Sequence, residues 1–71
     1  MGKLRRLTSR QLDVLCLLAE GLTDRQIAER LAISTATART HVERIRHALR
    51  VTSRSEAVAR ARDLGILGQK D

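Results

Sequence analysis

No phenylalanine, tyrosine or tryptophan occurs among these 71 residues, and there is no proline. Whatever core the chain builds must therefore come from Leu, Ile, Val and Ala, and nothing in it forces a helix to stop at a proline. A single cysteine, Cys16, excludes an internal disulfide and, as a small apolar side chain, is expected in the core. No apolar run reaches the ~18 residues that a membrane-spanning helix needs, and no secretory leader is visible, so a cytoplasmic location is expected. Period-2 alternation of apolar residues is also missing, which argues against strands. A chain this short buries only about 60% of the surface it exposes when unfolded, so one domain of a few kcal/mol net stability is the expectation.

Positive charge, by contrast, is abundant and unevenly placed. The net charge is +6. Residues 1–10 hold four basic and no acidic side chains, and residues 34–50 hold four Arg against Glu43 alone. Between them, residues 11–33 are net acidic. Cationic character thus gathers on a leading arm and on one later segment, which points to a polyanion as partner. Twelve of the fourteen basic residues are Arg. The planar fork of Arg suits phosphate and guanine edges, although the coding bias of a GC-rich genome favours Arg as well.

The segment 21–50, GLTDRQIAERLAISTATARTHVERIRHALR, organises the rest. Thr23 and Gln26 form a capping box ahead of a short helix whose Ile27, Ala28 and Leu31 fall at helical spacing. Ala32 and Ile33 make a turn. Ser34 then caps a longer helix in which Ala38, Val42, Ile45 and Leu49 repeat on one face. Its opposite face carries Ala36, Arg39, Thr40, Glu43, Arg46 and His47. A short helix, a tight turn and a second helix with a displayed basic face form the layout of a major-groove reader.

Before this pair, Thr8 and Gln11 form another capping box, and Leu12, Leu15, Leu18 and Ala19 define a buried stripe that Gly21 ends. Val14, Cys16 and Leu17 make that helix apolar on more than one side, as suits a helix touched by several neighbours. After the pair, Ser53 and Glu56 make a third capping box. The last helix puts Ala57, Val58, Ala61 and Leu64 on one side, and Gly65 stops it, with Ile66 and Leu67 folding back on the core. The chain reads as all-α, with four helices at roughly 8–20, 24–32, 35–50 and 54–64. Residues 1–6 read as a flexible arm or linker stub and residues 7–67 as the domain.

The run LTSRQLDVLCLLAEGLTDRQIAERLAISTATARTHVERIRHAL resembles the LuxR-type, or NarL/FixJ-type, helix-turn-helix domain of bacterial transcription regulators. It matches that pattern at Leu7, Thr8, Arg10, Val14, Leu15, Ala19, Gly21, Leu22, Ile27, Ala28, Leu31, Ser34, Thr37, His41, Ile45 and Leu49. It departs from the pattern at Gln11, where Glu is usual, at Ala38 for Val, and at Ala48 for Lys. Gln11 still closes a capping box, whereas Ala38 removes core volume and Ala48 removes one charge. The resemblance covers about Leu7 to Leu64. It implies a tri-helical helix-turn-helix core plus a C-terminal helix, without a wing, and sequence-specific binding of double-stranded DNA as a dimer. In such regulators the domain usually lies behind a receiver, ligand-binding or nucleotide-binding module, and some members are free-standing.

Candidate site residues follow from the helix faces and from this resemblance together. Arg39 lies on the polar face near the start of the long helix and matches a residue that in the family faces bases; an Arg there can pair with O6 and N7 of guanine. Thr40 and Glu43 match positions facing base edges. Glu43 is open to two readings, acceptance from cytosine N4 or simple pairing with Arg39, Arg46 or His47. Phosphate contacts are expected from Thr37 and Thr35 at the start of the long helix, from Thr23 and Arg25 at the start of the short one, and from Arg46. Asp24 suits the dipole of the short helix. Val58, Ala61, Arg62 and Leu64 are the expected dimer surface. His41 is expected to pack and to bridge helices by a hydrogen bond.

Neither a catalytic residue nor a metal-ligand set nor a cofactor-binding loop can be assembled from these residues, so an enzyme is not expected. RNA polymerase is a further candidate partner. The alternative is a promoter-binding domain like region 4 of a sigma factor, which normally carries an aromatic before its Gly and a Val-Arg-Gln-Ile run; this chain has Ala19-Glu20-Gly21 and Ala38-Arg39-Thr40-His41 instead. A pure protein-interaction bundle is the third reading, and it would need no cationic face.

Overall fold

The computed structural model describes residues 7–67. Four helices, α1 (Ser9–Ala19), α2 (Asp24–Leu31), α3 (Thr35–Leu49) and α4 (Arg54–Asp63), account for the secondary structure of that span, with no strand among the described residues. Each lies within its expected range, shorter by at most one residue at either end. The expectation for residues 1–6 lies outside the described residues.

The helix starts are set by local hydrogen bonds. Thr8 Oγ1 accepts from the Gln11 amide at 3.0 Å while Gln11 Oε1 accepts from the Thr8 amide at 3.0 Å. Thr23 and Gln26 repeat the exchange at 3.1 and 2.9 Å. Ser34 Oγ accepts from the Thr37 amide at 3.0 Å. The third expected box is only half made. Ser53 Oγ accepts from the Glu56 amide, but the Glu56 carboxylate turns to the amide and hydroxyl of Thr52, at 3.0 and 3.1 Å. Ser53 is more extended than the other caps, with φ −133° against −75° and −81°.

The helix ends share one device. Each closes with a pair of amides reaching back to the last turn, as in Leu22 to Leu17 and Gly21 to Leu18, or Ile66 to Ala61 and Gly65 to Arg62. This closure needs one residue in the left-handed conformation. Gly21 (φ +87°) and Gly65 (φ +76°) take it without a Cβ penalty, as expected; Ala32 (φ 58°) and Arg50 (φ 57°) take it in spite of one.

α3 lies against α1, α2 and α4, and α1 also touches α2 and α4. The core they enclose consists of Val14, Leu15, Leu17, Leu18, Ile27, Ala28, Ala38, Val42, Ile45, Leu49, Ala57, Ala61 and Leu67. Leu67 and the half-buried Ile66 fold back after Gly65, as the sequence suggested. Two expectations for α1 fail. Cys16 is exposed rather than in the core, and Leu12 is exposed rather than part of the buried stripe. At about 100° per residue, Val14, Leu15, Leu17 and Leu18 share one arc of the helix, and Leu12 and Cys16 fall on the opposite one. Leu64, expected at a surface for pairing, is 45% exposed at the end of α4.

Polar ties fix the α3–α4 connection. Arg46 Nη1 donates to the Thr52 carbonyl at 2.8 Å, and Arg60 Nε to the Leu49 carbonyl at 3.4 Å, placing a cation at the carbonyl end of α3. Thr52 in turn holds Glu56, and these hydrogen bonds keep the Glu56 carboxyl below its ordinary value, the backbone amide contributing most.

Two stability measurements follow. Ala32→Gly should relieve the left-handed strain by about 0.5–1 kcal/mol net of the extra freedom of the unfolded chain, raising Tm by about 3–6 °C in a thermal melt. A lowered folded pKa means that Glu56 stabilises the fold above its unfolded pKa and loses that contribution as pH falls through the folded one. Glu56→Gln should therefore melt below the wild type at pH 7, and the gap should close in acid.

Candidate nucleic-acid interface

The displayed side of α3 follows from its buried side. With Ala38, Val42, Ile45 and Leu49 turned inward, Ala36, Thr37, Arg39, Thr40, Glu43, Arg44 and His47 are exposed. Arg44 belongs to this face although the sequence reasoning passed over it; its exposure could have been read from its place about 130° around the helix from the middle of the stripe of Ala38, Val42, Ile45 and Leu49. The ion pairs among the described residues leave it without a partner.

At the start of α3, Ser34 satisfies the amide of Thr37 and also donates to Thr37 Oγ1 at 2.9 Å. The amides of Thr35 and Ala36 are left for an outside acceptor, beside the positive end of the helix dipole. Thr35 is half-buried and Thr37 exposed. At the start of α2, Thr23 is used as an acceptor by the cap, which leaves its hydroxyl hydrogen available, and Arg25 is exposed, loosely paired with Glu29 at 3.8 Å. Such an exposed pair contributes little and exchanges readily for an anion.

Arg39, Thr40 and Glu43 share the exposed face, each with a distinct tie. Thr40 Oγ1 donates to the Ala36 carbonyl at 3.1 Å, which commits the hydroxyl hydrogen and leaves the methyl group to the surroundings. Glu43 lies against Arg46 at 3.0 Å, so of its three possible cationic neighbours Arg46 is the one engaged. Arg46 itself is half-buried between Glu43 and the Thr52 carbonyl, with its Nε buried and unpartnered. Arg39 Nε faces Asp24 across 3.5 Å. Asp24 does more than suit a helix dipole, because its other oxygen takes Arg54 Nη2 at 2.5 Å. The sequence reasoning missed this link, which joins residues far apart in the chain.

His41 is half-buried on the inward edge of α3, but the expected interhelical hydrogen bond is absent: Nδ1 is buried without a partner among the described residues. Of the four residues expected at a dimer surface, Val58 is half-buried, Arg62 and Leu64 are exposed, and Ala61 is wholly buried inside the chain. Ala61 therefore packs the monomer's own core, since small side chains let α4 approach its neighbours. A shallow cavity of about 460 Å³ runs beside Val58 between α4 and the α1–α2 turn, lined also by Leu18, Leu22, Arg54 and Arg62. Among the described residues, no group of His, Cys, Asp and Glu is arranged to hold a metal, and no helix is long and apolar enough to cross a membrane.

Comparison with known proteins places this geometry. The family model described as bacterial regulatory proteins, luxR family, matches residues 5–61. The transcriptional regulatory protein LiaR of Bacillus subtilis is 44% identical over 55 residues, 78% of this chain and 26% of that protein. The HTH-type transcriptional regulator AlkS of Alcanivorax borkumensis is 39% identical over 61 residues, 86% of this chain and 7% of that protein. The nitrate/nitrite response regulator NarP of Escherichia coli is 47% identical over 51 residues. This chain thus spans about a quarter or less of the length of these relatives. Among solved structures, the response regulator ChrA of a heme-sensing two-component system superposes with a TM-score of 0.86 at 35% identity, over 93% of this chain and 33% of that one. The transcription factor GerE gives 0.78 at 32% identity, over 86% of this chain and 92% of that one.

Proposed function

This chain belongs to the LuxR family of bacterial regulatory proteins as a helix-turn-helix DNA-binding domain, and from that premise we propose that α3 enters the major groove of a duplex operator as one half of a homodimer. Family membership selects this reading over the sigma-factor one. The observation that carries it is the exposed face of α3, which displays Arg39, Thr40 and Arg44 on the same helix whose first amides are uncovered. Base edges are read by Arg39, Thr40 and Glu43. Phosphates are held by Thr23, Arg25, Thr35, Thr37 and Arg46, the last through the N–H groups that Thr52 and Glu43 leave over. The relatives named above are transcriptional regulators, so RNA polymerase is a further proposed partner, and the bacterial cytoplasm the proposed location.

Pairing falls to α4. Val58, Arg62 and Leu64 offer its surface, and a two-fold axis there would set half-sites about one helical turn, 10 bp, apart. One copy reading a few base pairs supplies little genomic specificity, and two copies on one operator multiply it.

Binding to duplex DNA, followed by fluorescence anisotropy, should weaken with a log–log salt slope of about −0.9 per phosphate neutralised; a flat response would overturn the proposal. Arg39→Ala should lower affinity for a selected operator by about tenfold or more, in keeping with ~1–3 kcal/mol for a base contact, and change affinity for random duplex far less. Leu64→Glu should abolish cooperative occupation of paired half-sites while leaving the helical circular dichroism spectrum intact.

A further inference from the structure

Asp24 opens α2, where the helix dipole already favours a carboxylate. The dipole does not account for its surroundings. The Asp24 side chain is only 16% exposed, and its two oxygens address guanidinium groups from two other helices, Arg54 at 2.5 Å and Arg39 at 3.5 Å. The two contacts are unequal. The Arg54 side chain is 42% exposed and holds the carboxylate closely, whereas Arg39 is 64% exposed and is engaged through Nε alone. Arg54 anchors the carboxylate, and the anchored carboxylate acts on Arg39.

A guanidinium held at Nε keeps its terminal Nη1 and Nη2 pair free, and that pair can span O6 and N7 of a guanine. Freed from Asp24, the same side chain could swing its fork to the nearest phosphate, which every sequence offers equally. Glu43, the other carboxylate within a helical step of Arg39, does not compete, because it is turned to Arg46. Resting on the DNA-reading face proposed above, we infer that Asp24 is a positioning residue for specificity: it holds Arg39 by Nε so that the terminal N–H pair meets base edges instead of phosphates. Its negative charge also disfavours close approach of the phosphate backbone. Asp24 therefore lowers non-specific affinity and raises discrimination.

The test compares wild type, Asp24→Asn, Arg39→Ala and the double variant, by selecting binding sites from a randomised duplex library and by titrating a random-sequence duplex. Arg39→Ala marks the operator position that Arg39 reads. At that position Asp24→Asn is expected to lower the base preference about tenfold, within the range one bidentate contact supplies, while preferences elsewhere persist. Affinity for random duplex should rise. In the Arg39→Ala background, Asp24→Asn should change no base preference further, whereas a route from Asp24 to the bases that bypasses Arg39 would still shift one. Should the Asn variant melt, Asp24→Ser, which retains a residue suited to a helix start, is read in the same way. A wild-type preference that either variant leaves intact, or a loss spread evenly over all positions, overturns the role of Asp24 alone. A wild type with no sequence preference overturns the DNA-reading face, and this inference with it.

Discussion

Ala38, Ala57 and Ala61, each without exposed surface, set how closely the helices of this protein can approach one another. In a core with no aromatic side chain, volume has to be filled by bringing backbones together rather than by large rings. Ala38 on α3 and Ala57 with Ala61 on α4 permit that approach, and Leu15, Ile27 and Ile45 fill the space between. The orientation of α3, and with it the direction of Arg39, Thr40 and Arg44, depends on this packing. An enlarged side chain at any of the three alanines would act on the displayed face although it touches nothing there.

Short loops carry the remaining precision. Each helix ends in a left-handed residue, and two of the four are not glycine. The α2–α3 turn spans only Ala32, Ile33 and Ser34, so the start of α3 follows closely on the end of α2, while Asp24 at the start of α2 reaches Arg39 a turn into α3. The connection to α4 is tied by side chains instead. Arg46 grips the Thr52 carbonyl, Thr52 grips Glu56, and Arg54 reaches Asp24. A continuous polar path therefore joins the face of α3 to the start of the helix proposed for pairing. Each tie along it is modest, being surface-exposed at one partner or both. Their shared effect is orientation more than stability.

Acidic residues near a cationic face ordinarily weaken its hold on a polyanion. Here both have defined cationic partners, Glu43 with Arg46 and Asp24 with Arg54 and Arg39. Arg44 and the outer part of Arg39 keep their charge available to solvent. The face thus combines open cations with restrained ones, a distribution that suits discrimination among duplexes better than uniform attraction would.

The number, order and boundaries of the helices were legible in the sequence, because what sets them is local: a hydroxyl at Thr8, Thr23, Ser34 or Ser53 reaches an amide three residues on, and Gly21 and Gly65 supply left-handed stops. Family membership was legible for a similar reason, since the matching residues are core and cap positions whose spacing survives without knowledge of packing. The exposure of Cys16 and Leu12 was not legible, because α1 is apolar around much of its circumference and only the placement of its neighbours chooses the arc that is covered. Nor was the half-made cap at Ser53, where the amide and hydroxyl of Thr52 take the Glu56 carboxylate. Asp24, Arg39 and Arg54 lie 15 and 30 residues apart, beyond any helical period. Only the packing of α2, α3 and α4 against one small core brings them together, since a contact between distant residues is a property of how helices lie on each other and not of any one helix.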